Sequence, residues 1–208
     1  MKYKHIIFDI DGTLVDNEQA VLYSLQEVLR EELGKEYSFD ELRFALGIPG
    51  EDALEKLEIE DIPTMMEAWI KIFYRYTANM SVYDGIEELL ENLSKEGYRL
   101  GIVSSKSKEI FEHDFCKFPI RKYFDVVICQ DDTKEHKPMP EPLLKYMELS
   151  GTNPNEILYV GDSVYDSKCA KGAGADFALA VWGSHTKDIE ADYYPQKPAD
   201  LPSMISGR

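Results

Sequence analysis

The chain has 208 residues, 44% of them hydrophobic, enough for one core plus a smaller domain. Thirty-nine acidic against 23 basic residues give a net charge of −16, which argues against nucleic acid or an anionic membrane as the main partner. No apolar run approaches the roughly 20 residues needed to span a bilayer. The start Met1-Lys2-Tyr3-Lys4-His5 lacks a signal-peptide pattern, and Cys116, Cys129 and Cys169 show no metal-ligand spacing, so a soluble cytoplasmic protein with reduced thiols is expected.

The first element is the apolar run Ile6-Ile7-Phe8, which ends in Asp9-Ile10-Asp11-Gly12-Thr13. A continuous run of this kind reads as a buried parallel strand, and open α/β sheets bind ligands outside the carboxyl ends of their strands. Two carboxylates one residue apart repel each other, and a bound Mg2+ would remove the conflict. An Asp-Gly turn closing the strand is the plainer alternative.

Residues 17–80 read as helix only. Asn17 can cap a first helix carrying Val21, Leu22, Leu25, Val28, Leu29 and Leu33, stopped by Gly34. Ser38 with Glu41 predicts a capping box for a short helix through Leu46, and a third helix carries Ala53, Leu54 and Leu57 after the Gly47-Ile48-Pro49-Gly50 break. Thr64 with Glu67 repeats the capping-box spacing before Trp69, Ile72, Phe73 and Tyr76, whose period makes them core of this block. From residue 85 helices alternate with the apolar runs Leu100–Val103, Val126–Cys129, Ile157–Val160 and Phe177–Ala180. That alternation predicts a Rossmann-like three-layer α/β core around a parallel sheet. The expected domains are a core over 1–16 and 81–208 and an inserted all-helical cap over 17–80.

The later strands also end in chemistry. Ser104, Ser105 and Lys106 follow the second run, where a hydroxyl and helix-opening N–H groups can hold phosphate oxygens or simply cap a helix. Lys137 stands in a proline-rich loop, His136-Lys137-Pro138-Met139-Pro140-Glu141-Pro142, and can neutralise a phosphoryl group. Gly161-Asp162-Ser163 and Asp166 follow the next strand, as further carboxylates or as a helix cap.

In this order the four strand ends resemble the four motifs of the haloacid dehalogenase-like (HAD) superfamily: Asp9 to Thr13, Ser104, Lys137, and Gly161-Asp162-Ser163 with Asp166. The resemblance covers essentially the whole chain and is greatest to the phosphoglycolate phosphatase and β-phosphoglucomutase-like branch. It implies that Asp9 is a nucleophile forming an aspartyl-phosphate and that Asp11 is the general acid and base. It implies Mg2+ held by Asp9, the backbone carbonyl of Asp11 and Asp162, with Asp166 orienting metal-bound water or Lys137. Ser104, Ser105 and Lys137 would bind the phosphoryl oxygens. In the cap, Arg43 and Gly47 are the candidates for substrate specificity, Arg43 being equally readable as a solvated helix residue.

Some positions depart from the family pattern. Ser105 stands where many relatives carry asparagine, and Val21 and Gly50 stand where β-phosphoglucomutases carry histidine and arginine. A dehalogenase has no alkoxide to protonate and would not need Asp11. The expected function is a Mg2+-dependent phosphomonoester hydrolase acting on a small phosphorylated metabolite, as a monomer or weak homodimer. A phosphosugar mutase, a pyrophosphatase, a receiver-like phosphoacceptor and a catalytically silent binding protein are the alternatives.

Overall fold

In the computed structural model, which describes residues 2–206, the first apolar run becomes the middle strand of a five-stranded sheet. In chain order the strands are β1 (His5–Phe8), β2 (Val15–Asp16), β3 (Ser81–Val82), β4 (Arg99–Val103), β5 (Val126–Ile128), β6 (Ile157–Gly161) and β7 (Asp176–Leu179). The helices are α1 (Glu18–Leu33), α2 (Phe39–Leu42), α3 (Gly50–Lys56), α4 (Ile62–Tyr76), α5 (Ile86–Lys95), α6 (Lys108–Ile110), α7 (Glu141–Ser150), α8 (Val164–Ala173) and α9 (Leu201–Ile205). The chain forms two compact units, Met1–Val15 with Val82–Arg208, and Asp16–Ser81. Where it passes between them, β2 and β3 form a separate two-stranded sheet.

The main sheet runs β5-β4-β1-β6-β7 with every neighbouring pair parallel. Phe8 stands in register with Ile102 on one side and Val160 on the other. The strand order therefore reverses at β1, and the crevice outside its carboxyl end is where such sheets place ligands. Alternation sends Ile7 to the face packed by α7 and α8, with Val103, Ile128, Leu143, Tyr159 and Cys169. Phe8 faces the other way and meets the Phe124 ring edge-on at 6.3 Å. Each fully buried side chain of this size contributes about 1.5–3 kcal/mol, so a register slip that turned these strands over would be costly.

The helical unit is built on α1 against α4, with α3 also packed on α4. Trp69 is buried there and donates its indole N–H to Ser24 Oγ at 2.9 Å, and Phe73 is buried as well. Tyr76 is only part-buried, stacking on Tyr23 with ring centroids 5.9 Å apart.

Three local expectations need correction. Asn17 occupies the N-cap position of α1, yet its side chain makes no capping hydrogen bond. The cap of α4 is Asp61 rather than Thr64, the Asp61 carboxylate accepting the Thr64 N–H at 3.2 Å. The helix starts three residues before the Thr64–Glu67 spacing predicts, because Pro63 already sits in the first turn, where its missing N–H costs nothing. The helix that the alternation in sequence places between Leu100–Val103 and Val126–Cys129 is α6 for one turn only and then widens to a π turn over Phe111–Phe115. The Ser38–Glu41 capping box is present as read. Among the described residues no helix is long and apolar enough to cross a membrane.

Candidate active site

Asp9 continues the ladder beyond β1, its N–H donating to the Val160 carbonyl at 2.9 Å. The chain then turns sharply: the Ile10 carbonyl accepts the N–H groups of Leu14 and Val15 at 2.8 and 2.9 Å. Gly12 makes this turn with φ +73°, and a β-carbon there would lie 2.4 Å from Asp162 Oδ2, so only glycine fits. The Thr13 hydroxyl donates to Asp162 Oδ1 at 3.1 Å. Behind the turn, Trp182 donates its indole N–H to the Thr13 carbonyl at 2.9 Å. Gly183 presses so close that a β-carbon there would overlap the Gly12 carbonyl oxygen at 1.7 Å.

Lys137 reaches in from its proline-rich loop, buried, with Nζ 2.9 Å from Asp9 Oδ1 and 2.8 Å from Asp166 Oδ1. Asp166 is buried in the first turn of α8. Its Oδ2 accepts the Ser163 N–H at 3.1 Å and the Ser163 hydroxyl, while Ser163 Oγ caps the Asp166 N–H. The Tyr159 hydroxyl lies 3.0 Å from Asp166 Oδ1 and 2.9 Å from the Val103 carbonyl, and donates to one of them at a time. Asp166 thus completes the capping box of α8 and pairs with Lys137 at the same time.

Carboxylate oxygens of Asp9, Asp162 and Asp166 come within 4.8 Å of one another. Burial, opposed by Lys137 and reinforced by Asp166 and Asp11, pushes the Asp9 carboxyl up to about 7. Burial first, then Asp166 and Asp9, raise Asp162 well above the usual carboxylate range. Burial alone would lower Lys137, but Asp166 and Asp9 outweigh it and raise the ammonium pKa. No ion pair reaches Asp162 among the described residues, whereas Asp166 is engaged by Lys137, Tyr159 and Ser163. The donor set left over, hard carboxylate oxygens on Asp9 and Asp162 beside uncompensated negative charge, fits a divalent cation such as Mg2+.

The remaining site candidates fall into two groups. Ser104 is buried at the end of β4, its N–H donating to the Ile128 carbonyl at 2.9 Å, and Ser105 beside it is half-buried. The Asp11 carboxylate is not part of the three-carboxylate cluster; it pairs with Lys106 Nζ at 2.9 Å. Arg43 is exposed in the helical unit, 3.6 Å from both Glu18 and Asp40, and Gly47 makes a left-handed turn with φ +81°. Their neighbours within that unit account for Arg43's charge.

Sequence reasoning gave no role to Lys106, Asp114, Tyr159, Trp182 or Gly183. Tyr159 carried a legible signal, a phenol in the middle of an otherwise aliphatic buried strand. Lys106 directly follows the Ser104-Ser105 pair at a strand end. Asp114 lies inside a stretch read as ordinary helix, and nothing in its spacing marks it.

The chain matches the haloacid dehalogenase-like hydrolase family over residues 6–180. It is 32% identical to a phosphoglycolate phosphatase of Aquifex aeolicus, covering 96% of this chain and 95% of that one. It is 27% identical to the pyrophosphatase PpaX of Bacillus mycoides over 99% of this chain and 98% of the other. A crystal structure from Lactobacillus plantarum, provisionally assigned as a phosphoglycolate phosphatase, superposes with a TM-score of 0.90 at 32% identity, covering 98% of this chain and all of that one. With the family match spanning most of the chain and the Asp9 turn, lysine and acidic cluster gathered at the end of β1, the protein belongs to the haloacid dehalogenase-like hydrolase family and is a HAD-type phosphatase.

Proposed function

We propose that the protein is a Mg2+-dependent phosphohydrolase that removes a phosphoryl group from a small metabolite through an aspartyl-phosphate on Asp9. The observation that carries this reading is Asp9 itself, a buried carboxylate held by Lys137 at 2.9 Å and within reach of Asp162. Asp9 attacks phosphorus in line, the bond from phosphorus to the leaving oxygen breaks, and Asp11 as a carboxylic acid gives that oxygen its proton. Asp11, now a carboxylate, takes a proton from water; the water oxygen attacks phosphorus, the bond to Asp9 breaks and inorganic phosphate leaves. Lys137 neutralises charge on the transferring oxygens, while Ser104 and the N–H groups of Ile10, Asp11 and Ser105 hold them. Asp9, Asp162 and the Asp11 backbone carbonyl would hold Mg2+, which when bound supplies charge neutralisation between nucleophile and phosphate. Asp166 keeps Lys137 in place.

The leading substrates are 2-phosphoglycolate and pyrophosphate, because relatives of both descriptions align along nearly the full chain. Strong negative charge favours small diffusible substrates over nucleic acid or membrane, and three free cysteines agree with a cytoplasmic setting. Specificity constants for 2-phosphoglycolate and pyrophosphate, with Mg2+ and with EDTA, test the reading together with Asp9→Asn. Turnover abolished by EDTA and by the substitution, in a protein with unchanged circular dichroism, is the expected result. Near-normal turnover by Asp9→Asn would refute the nucleophile.

A further inference from the structure

The geometry points to Lys106 as the positioning residue for Asp11, with Asp114 as its buried anchor. This rests on the acid–base role proposed above for Asp11. Lys106 Nζ lies 2.9 Å from Asp11 Oδ1 and 2.9 Å from Asp114 Oδ2, with its side chain only 6% exposed. Taking an ammonium out of water is costly unless it is paired on well-placed partners, so this lysine is held by its two carboxylates rather than resting at a surface.

The surroundings fix it further. Its N–H donates to Ser104 Oγ at 3.2 Å, and its carbonyl accepts the Gln130 N–H at 2.9 Å. The lysine backbone is therefore locked to the same strand end that supplies Ser104. Asp114 comes from the π turn over Phe111–Phe115, where Phe111 and Phe115 stack with centroids 5.3 Å apart and both are buried. Wide turns of this type recur at functional sites because the added residue re-aims a side chain. Asp114 is fully buried and its Oδ2 is on Lys106.

A short, otherwise rotatable carboxylate just past a tight turn is in this way pinned by one oxygen. A general acid must sit within about 2.6–3.2 Å of the oxygen it protonates, and a 1 Å misplacement can cost roughly 100-fold. Lys106 acts on the reaction only through Asp11. Its effect must therefore follow how much the leaving group needs a proton.

The test compares kcat/KM for two substrates of nearly the same shape, phenyl phosphate and 4-nitrophenyl phosphate. This constant covers only the steps through transfer to Asp9, so hydrolysis of the intermediate does not enter. Lys106→Met is expected to lose roughly 100-fold on phenyl phosphate and less than about 5-fold on 4-nitrophenyl phosphate, whose leaving group departs unprotonated. Lys106→Arg should recover at least about 10-fold of the phenyl phosphate loss, since it restores the charged donor. If Lys106→Met alone is unstable, Lys106→Met with Asp114→Asn removes the stranded charge and should show the same split between substrates. In an Asp11→Asn background, Lys106→Met should change neither constant further.

Equal losses on both substrates, or none on phenyl phosphate, overturn the positioning role. If Asp11→Asn itself shows no split, the acid–base reading of Asp11 falls and this inference falls with it. If Asp11→Asn shows the split and Lys106→Met does not, only the Lys106 assignment is lost.

Discussion

Two buried lysines in the larger unit each bridge a pair of aspartates, and they do so under different conditions. Lys137 joins Asp9 and Asp166, and all three side chains are at most 2% exposed. Every oxygen of Asp166 has a donor there, from Lys137, Tyr159 or Ser163. Lys106 joins Asp114, equally buried, to Asp11, whose side chain keeps 23% exposure, and Asp114 Oδ1 has no hydrogen-bond partner among the described residues. The charges are the same in both triads. What differs is solvent access and how fully the carboxylates are satisfied, and those set how hard each triad is to break and which of its members can exchange protons.

Lys137→Met should have the largest effect. It strands two buried carboxylates, so a cost of about 3–5 kcal/mol in unfolding free energy is expected, with activity lost. Denaturant melts with phosphatase assays check this, and a variant of unchanged stability would dissolve the contrast. Lys106→Met should cost less, about 2–3 kcal/mol, because Asp11 can regain water while only Asp114 is stranded. Adding Asp114→Asn should return most of that loss. If the double variant is no more stable than the single one, Asp114 is not the group being compensated.

Finer probes sharpen the first triad. Tyr159→Phe deletes one donor to Asp166 and should cost about 1 kcal/mol with a several-fold lower kcat. Ser163→Ala removes both a helix cap and a donor to Asp166, and should cost about 1 kcal/mol. The two substitutions are expected to be non-additive, since both act on one carboxylate. Strict additivity in a double-mutant cycle would mean that Asp166 does not integrate its partners.

Much of this architecture was readable before any coordinates. The apolar runs at Ile6–Phe8 and Ile157–Val160 read as strands buried on both faces, which places the residues that follow them at one edge of a parallel sheet. Asp9, Asp162 and Asp166 were legible for that reason, and Lys137 from its proline-rich loop. Asp114 was not, because its stretch has an ordinary helical pattern and the π turn comes from how Phe111 and Phe115 pack. At the start of α4 two local signals compete: Thr64 with Glu67 has the capping-box spacing, but Pro63, suited to a first turn, marks Asp61 as the cap.

Chain order and apolar patterning alone determined the parallel core, the helical insertion and the strand ends that carry the charges, since each depends on neighbours a few residues apart. Which lysine serves which aspartate was decided only in three dimensions. Lys106 could have joined the Asp9 group and Lys137 could have faced solvent. Contacts near 3 Å between side chains far apart in sequence depend on the packed backbone, and on which buried charges it leaves without water.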